Sequence, residues 1–349
     1  MPLIIEARNL TKRYKGNVAV NGVDLEVREG EIFGILGPNG AGKTTTLEMI
    51  EGLRVPDSGT ITVDGIDAVK ASDRVRKIIG VQLQSTALFP YLSASELIAL
   101  FASFYGVANP HDRPAALLKR VNLEEKAKSR VDELSGGQQQ RLSIALALVN
   151  EPRVTFLDEP TTGLDPLARR NLWQTILGVR AAGTTVVLTT HYMEEAEVLC
   201  DRIAIMDGGR VIACDTPAGL IRGLDLEATV SATIAGDWPE PGGEIPRTLG
   251  TAAVQESLAM LPGVVSAETG GHESGLRLTL KTNDAQATIV GLLQLTGERG
   301  ITLNNLNSTR ATLEDVFLAR TGRSYEGDDA PEPVDEEEPR KRGRRARAA

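Results

Sequence analysis

From residue 1 to about 220, short runs of β-branched and other apolar residues alternate with longer segments in which apolar positions recur at helical spacing. Residues 32–36, 154–157 and 185–189 are apolar or β-branched almost throughout, as expected of strands covered on both faces. Such alternation predicts an α/β core built on a parallel sheet. The run DTPAGLIRGL, residues 215–224, closes this region, and the pattern beyond it changes. Residues 226–234 read as a strand, 252–261 as a helix, 264–267 and 276–280 as a hairpin, 284–298 as a helix and 301–306 as a strand. That order is the split βαβ of a small ferredoxin-like α+β domain. The Pro/Gly-rich stretch 236–246 reads as a surface loop, and TLEDVFLARTG, 312–322, as a last short helix.

Three segments follow from this pattern: 1–224, 225–322 and a tail over 323–349. From Glu326 the tail carries eight acidic residues up to Glu338, then six basic ones in RKRGRRARAA. With almost no apolar residues to bury, it is expected to be disordered.

Composition narrows the function classes. No stretch reaches the roughly 18 apolar residues of a membrane-spanning helix, and MPLIIEARNL lacks the basic-then-apolar order of a secretion signal. The two cysteines, Cys200 and Cys214, suit neither a disulfide framework nor a metal site, which is consistent with a reducing cytoplasm. A net charge of −9 argues against a body that coats nucleic acid. The second segment shows no catalytic cluster, and its Trp238 and His272 read as structural or exposed residues, as does His111 in the first.

The chemistry lies in the first segment. Gly37, Pro38, Asn39, Gly40, Ala41, Gly42, Lys43 and Thr44 match G-x-x-x-x-G-K-[ST] between the strand IFGIL and the helical TTTLEMIEGL, which also holds Thr45. In that context the glycines let backbone N–H groups curl around phosphates, Lys43 adds a cation, and the Thr44 hydroxyl suits Mg²⁺. The strand at 154–157 ends in Asp158 and Glu159, one carboxylate to hold Mg²⁺ and one to orient or deprotonate a water. Leu134, Ser135, Gly136, Gly137 and Gln138 then precede the helical QQRLSIALALVNEP. Bare N–H groups, a hydroxyl and a helix N-terminus form a second anion cradle, although one loop already serves the chain's own phosphates. A second cradle implies a second molecule.

With these motifs in this order over about residues 3–220, the sequence resembles the ATP-binding cassette (ABC) family. The resemblance implies ATP and Mg²⁺ as cofactors. Ser135, Gly136, Gly137 and Gln138 would meet the γ-phosphate of ATP bound to a second subunit, in a homodimer if no related cassette exists. It further implies that Tyr14 stacks on adenine, a core tyrosine being the alternative. Gln84 would reach Mg²⁺ and the attacking water, with Gln82 leaving the register open. Gly163, Leu164 and Asp165 would form a loop across the dimer interface, and His191 would be a switch residue at the γ-phosphate. Leu146 departs from the arginine of many members, and the two-signed tail is unlike the family core.

A single cassette without a span requires a separate integral-membrane permease, and the resemblance places the chain at the cytoplasmic face of the membrane. The segment 85–96, STALFPYLSASE, resembles the family surface that receives a permease helix, with Leu88, Phe89 and Tyr91 as exposed apolar contacts. The region from DTPAGLIRGL to ATLEDVFLARTGR is similar to the daunorubicin-resistance type of exporter ATPase, which implies efflux of a drug-like or lipid-like substrate. The alternative is a soluble ABC ATPase working on nucleic acid or ribosomes, favoured only by the basic end of the tail. That end equally suits anionic lipid.

Overall fold

A computed structural model describes residues 2–82, 88–234, 251–272 and 275–322. Gln84, Trp238, the 236–246 stretch and the charged tail lie outside the described residues, as does the side chain of His272. The expected parallel sheet has six strands, in the order Arg210–Asp215, Arg202–Asp207, Ile32–Leu36, Thr185–Thr190, Val154–Asp158 and Ile79–Gln82. All run parallel except the antiparallel edge strand Arg210–Asp215. Every residue of Ile32–Leu36, Val154–Asp158 and Thr185–Thr190 is buried, which explains their lack of polar alternation.

A second sheet departs from the simple parallel expectation. Leu3–Tyr14, Asn17–Arg28, Ser58–Val63 and Ile66–Asp67 form a separate antiparallel sheet. In its second strand Val23, Leu25 and Val27 are buried between the less buried Asp24, Glu26 and Arg28, the period of a strand covered on one face. Those side chains share a core with Phe33, Ile35, Phe156 and Val187 from one face of the parallel sheet. The opposite face contributes Ile32, Leu36, Leu157, Val186 and Leu188 to a core shared with the helices, where Leu146 is also buried. The site described below sits at the rim of this two-sheet sandwich.

Residues 228–310 form the expected β-α-β-β-α-β unit, with Ala228–Ile234 and Gly275–Thr282 central and Leu303–Arg310 and Val264–His272 at the edges. All pairs are antiparallel, and Val230, Ile234, Val254, Leu258, Leu278, Leu280 and Leu292 fill its core. The hairpin strands are longer than the apolar pattern indicated. Gly270 and Gly271 remain in the ladder opposite Arg277 and Leu276, because a partner strand supplies the hydrogen bonds that two glycines could not sustain alone.

The last helix, Leu313–Thr321, starts at a Thr312–Asp315 capping box but does not join the small core. Leu313, Val316 and Phe317 are buried in the core of the first segment. Glu197 Oε1 accepts a hydrogen bond from the Leu313 N–H at 2.9 Å. Burying each such side chain contributes roughly 1.5–3 kcal/mol, so this helix fastens the two segments together. Val316→Ala is expected to lower unfolding stability by about 2 kcal/mol through two lost methyl groups and a small cavity. Urea unfolding checks this, and an unchanged midpoint would show that the docking contributes nothing.

Candidate functional site

The C-terminal ends of three neighbouring strands of the parallel sheet converge, each handing on a group with its own chemistry. Ile32–Leu36 leads into Gly37 and the loop ending at Lys43, Val154–Asp158 delivers Asp158 and Glu159, and Thr185–Thr190 delivers His191. Ligands bind characteristically beyond strand C-termini in open α/β sheets.

The loop is shaped by close backbone approach. A Cβ on Gly37 would lie 2.3 Å from the Met206 carbonyl oxygen, and one on Gly42, at φ +97°, 2.3 Å from that of Ala19. No side chain fits at either position, so the loop can lie this close to those carbonyls only with glycine at both, and the Gly37 N–H donates to the Thr190 carbonyl at 3.3 Å. Lys43 opens the helix Lys43–Ile50 and is buried. Its Nζ donates to the carbonyls of Gly37 at 2.9 Å and Pro38 at 3.1 Å, and lies 3.3 Å from Glu159 Oε1.

Glu159 is the centre of a three-residue contact. Its Oε2 lies 3.3 Å from His191 Nδ1 and accepts from the Thr162 hydroxyl at 3.3 Å. The His191 hydrogen bond is the main cause that lowers the Glu159 pKa to about 2, against the effect of burial and with help from Lys43. The group is therefore ionised across any working pH. Its backbone sits at φ +45°, held by Thr189, whose carbonyl and hydroxyl both accept from the Glu159 N–H. Non-glycine residues in this region are held there by their surroundings and cluster at functional sites. Asp158 Oδ1 accepts from the Thr189 hydroxyl and from Thr44 Oγ1 at 3.3 Å. Burial, more than any neighbour, raises the Asp158 pKa.

A cleft of about 510 Å³ is lined by Lys43, Thr44 and Glu159 together with Tyr14, Asn39, Gly40, Gly42 and Thr45, while Asp158 and His191 lie behind it in contact with Thr44 and Glu159. Tyr14 is 38% exposed, with the Arg54 guanidinium 5.4 Å from its ring centre, so it is no core tyrosine. The cleft also takes in Asn17, Val18, Ala19 and Gly208, which carry no motif. The turn between the first two strands and the Gly208-Gly209 pair marked these places in the sequence, but only the fold brings them together. Gly37, Pro38 and Ala41 belong to the loop and do not line the cleft.

Ser135 begins a separate constellation. It caps the helix Gly136–Ala147 through a reciprocal Ser135–Gln138 capping box, with the Ser135 N–H donating to Gln138 Oε1 at 2.9 Å. Asp165 caps the neighbouring helix Pro166–Ala181, accepting from the N–H groups of Leu167 and Ala168, both at 2.9 Å. Ser135, Gly137, Gln138 and Asp165 line one cleft of about 160 Å³, which shares no residue with the first. Gly163 is exposed at φ +75°, and Leu164 is half-buried against the helical core.

Gln82 is buried at its strand end, and its amide donates to Gln140 at 3.1 Å. Among the apolar residues expected on the partner surface, Phe89 and Tyr91 are exposed. Leu88 is instead half-buried against the core, because an apolar side chain at a loop base gains more by packing inward. His111 is exposed.

Glu51, the C-cap of the helix Lys43–Ile50, carries no motif yet is only 2% exposed. Burial first, then the negative charges of Asp158 and Glu48, push its carboxyl up to about 8. A carboxyl raised in the folded state binds its proton more tightly there than in the unfolded chain. Stability is therefore fully present below the ordinary glutamate pKa and declines as pH rises from about 4.5 towards 8. Glu51→Gln is expected to raise stability at pH 8 by at least about 1 kcal/mol and to leave it nearly unchanged near pH 4. Unfolding midpoints at the two pH values, measured without nucleotide and with a chelator, test this; parallel profiles would refute it.

The family profile described as ABC transporter matches residues 20–162. The linearmycin resistance ATP-binding protein LnrL of Bacillus subtilis is 35% identical over 323 residues, which is 92% of this chain and 99% of that protein. The Nod factor export ATP-binding protein I of Ralstonia nicotianae is 38% identical over 322 residues, 92% of this chain and 94% of its own length. A dimeric ATP-binding cassette solved in a post-hydrolysis state with ADP and Pi is 32% identical, with a TM-score of 0.55, over 61% of this chain and 98% of its own. The cbiO1 structure from Clostridium perfringens, part of an ABC transporter complex, is 30% identical with a TM-score of 0.59 over 64% of this chain and 95% of its own. With a phosphate loop, a paired carboxylate and a separate capped-helix signature in one fold, and relatives matching along nearly their whole length, the chain belongs to the ATP-binding cassette family and is an ATP-binding ATPase.

Proposed function

We propose that this chain is the ATP-hydrolysing subunit of an exporter that moves a drug-like or lipid-like substrate through a separate integral-membrane permease. The observation that carries the reading is the division of anion-binding groups between two clefts with no residue in common. Relatives matched almost end to end that are named for resistance and export favour the exporter over an ATPase acting on nucleic acid or ribosomes.

In this reading the first cleft takes ATP, with the ring of Tyr14 against the adenine and the phosphates between the loop N–H groups and Lys43. The Thr44 hydroxyl and Asp158 carboxylate, 3.3 Å apart, are hard oxygen donors of the kind Mg²⁺ prefers, the remaining positions being left to phosphate and water. The buried Asp158 charge fits such a cation. When bound, Mg²⁺ neutralises developing phosphate charge. Glu159 orients and deprotonates the attacking water. Phosphate drawing the Lys43 ammonium towards itself would strengthen this base, because the ammonium that depresses its basicity is then shared. Gln84 is assigned to the same water and metal. His191 senses the γ-phosphate and holds Glu159 in place.

The second cleft, lined by Ser135, Gly137 and Gln138, serves with the adjoining Gly136 for ATP on a second copy. A two-fold homodimer satisfies both cradles at once, with Gly163, Leu164 and Asp165 at the interface. The exposed Phe89 and Tyr91 lie close in sequence to a groove of about 760 Å³ lined by Leu92, Ala99, Leu100 and Leu118, a surface suited to a permease helix. No helix of the described residues is long and apolar enough to cross a membrane, so attachment at the cytoplasmic face is assigned to that contact. The basic end of the tail would add about 1 kcal/mol per residue near anionic lipid, offset by its acidic block.

The test is co-expression with the permease encoded in a neighbouring reading frame. The chain is expected in the membrane fraction, and Phe89→Asp combined with Tyr91→Asp is expected to release it with ATPase activity intact. Retention in a ribonuclease-sensitive ribosomal fraction would overturn the exporter reading.

A further inference from the structure

We propose that Arg169 and Tyr192 are positioning residues for hydrolysis, holding His191 against Glu159 and tying that contact to the interface loop at residues 163–165. This rests on the roles given above to Glu159 and His191.

The helix Pro166–Ala181 follows that loop directly, and Asp165 fastens its first turn through two N–H groups. One turn in, the Arg169 guanidinium lies 4.2 Å from the centre of the Tyr192 ring. The Tyr192 ring is itself 4.1 Å from that of His191, tilted by 43°. His191 then reaches Glu159 at 3.3 Å. Four side chains in sequence thus join the helix behind the loop to the catalytic carboxylate. A planar guanidinium over an aromatic face is attracted and orientationally specific, which an ordinary apolar contact is not.

The same helix grips the histidine segment a second time. Trp173, one turn beyond Arg169, donates through Nε1 to Glu195 Oε1 at 3.1 Å. Glu195 is completely buried on the helix Met193–Leu199, which starts immediately after Tyr192. Burying a carboxyl is costly unless neighbouring donors hold it, so this contact fixes the short helix in place. Any displacement of the loop helix must carry both the Tyr192 stack and the Glu195 anchor. The loop expected at the subunit interface thereby acquires a mechanical connection to the geometry of hydrolysis within its own subunit.

The experiment compares Arg169→Met, Arg169→Lys, Tyr192→Leu and Tyr192→Phe, each alone and in a His191→Ala background, by steady-state ATP hydrolysis, nucleotide binding and thermal unfolding. Arg169→Met and Tyr192→Leu are expected to lower kcat by roughly tenfold or more, since a small misplacement of reacting groups is enough, with KM changed by less than about twofold. Tyr192→Phe, which keeps the ring face, should restore nearly full turnover, and Arg169→Lys, which keeps the charge without the plane, should fall between. In the His191→Ala background, Arg169→Met should cost less than about twofold, because its route to Glu159 is already cut. An equal loss in both backgrounds would overturn the proposal, as would a loss that merely follows the fall in Tm. Wild-type turnover in Arg169→Met beside an impaired His191→Ala would overturn the proposal alone. Full activity of His191→Ala would instead remove the role of His191 and, with it, the proposal.

Discussion

Glu159→Gln is expected to reduce ATP turnover by roughly 10²- to 10⁴-fold, the scale of a lost general base, while nucleotide remains bound. The substitution keeps the side chain's shape and its oxygen towards Lys43 or His191, and removes the charge that both hold. Asp158 and Thr44 are left intact, so the proposed metal donors persist. With hydrolysis blocked and both clefts filled, two copies are expected to stay closed around two ATP molecules. Size-exclusion chromatography with light scattering, with and without MgATP, should show a dimer only with nucleotide. Adding Ser135→Arg should return it to monomer. Ser135 lies in the second cleft and shares no cavity with Glu159, so within one copy the two changes are independent. A loss of the dimer through Ser135→Arg therefore reports a contact made between copies. Hydrolysis by Glu159→Gln at the wild-type rate would refute the role of this carboxylate, and a dimer indifferent to Ser135→Arg would refute the shared site.

What the sequence disclosed of this arrangement was whatever chemistry is contiguous. The loop from Gly37 to Thr44, the Asp158–Glu159 pair and Ser135 to Gln138 each occupy one short run, because backbone N–H cradles and strand-end carboxylates are local devices. The strands read at 32–36, 154–157 and 185–189 were equally visible, since burial on both faces leaves no polar alternation. The first antiparallel sheet was harder to separate from the parallel one. Its strands alternate as expected, but pairing of Leu3–Tyr14 with Ser58–Val63 spans half a hundred residues and leaves no local mark. Leu88 was misjudged for a similar reason, its inward packing being decided by helices elsewhere in the chain.

The connections between motifs were the least legible. Nothing in the run around Arg169 shows that it lies over Tyr192, because each residue alone reads as an ordinary helix arginine or a tyrosine after a histidine. Nothing in the sequence around Glu51 or Glu195 marks either carboxyl, and only the fold reveals that both are buried. The terminal helix looked like the end of the small domain. Its Leu313, Val316 and Phe317 are instead taken up by a core assembled from residues of the first segment. Side-chain chemistry was therefore legible one motif at a time, while the couplings that make one machine of these motifs depend on tertiary contact.

Lys43→Ala is expected to weaken nucleotide binding by roughly 10- to 150-fold, the equivalent of losing about 1.5–3 kcal/mol of charged hydrogen bonding. In the structure its ammonium is buried among two loop carbonyls and Glu159, so it is held at the loop mouth with little rotamer freedom left to lose on binding. The substitution also removes the ammonium beside Glu159, and the carboxyl pKa should rise from its depressed value of about 2. Reduced turnover at saturating ATP would then report positioning, whereas the binding defect reports phosphate recognition. Thr44→Ala separates the lysine from the metal. If its hydroxyl acts through a cation shared with Asp158, as proposed, its defect should largely vanish when affinities are compared in a chelator. The Lys43 charge acts on phosphate directly, and its defect should persist without Mg²⁺. Titration of a fluorescent ATP analogue against the three proteins, with and without Mg²⁺, distinguishes the two. Unchanged affinity in Lys43→Ala would remove the phosphate loop from the nucleotide site, and a Lys43 defect that disappeared in chelator would show that the lysine serves the metal instead.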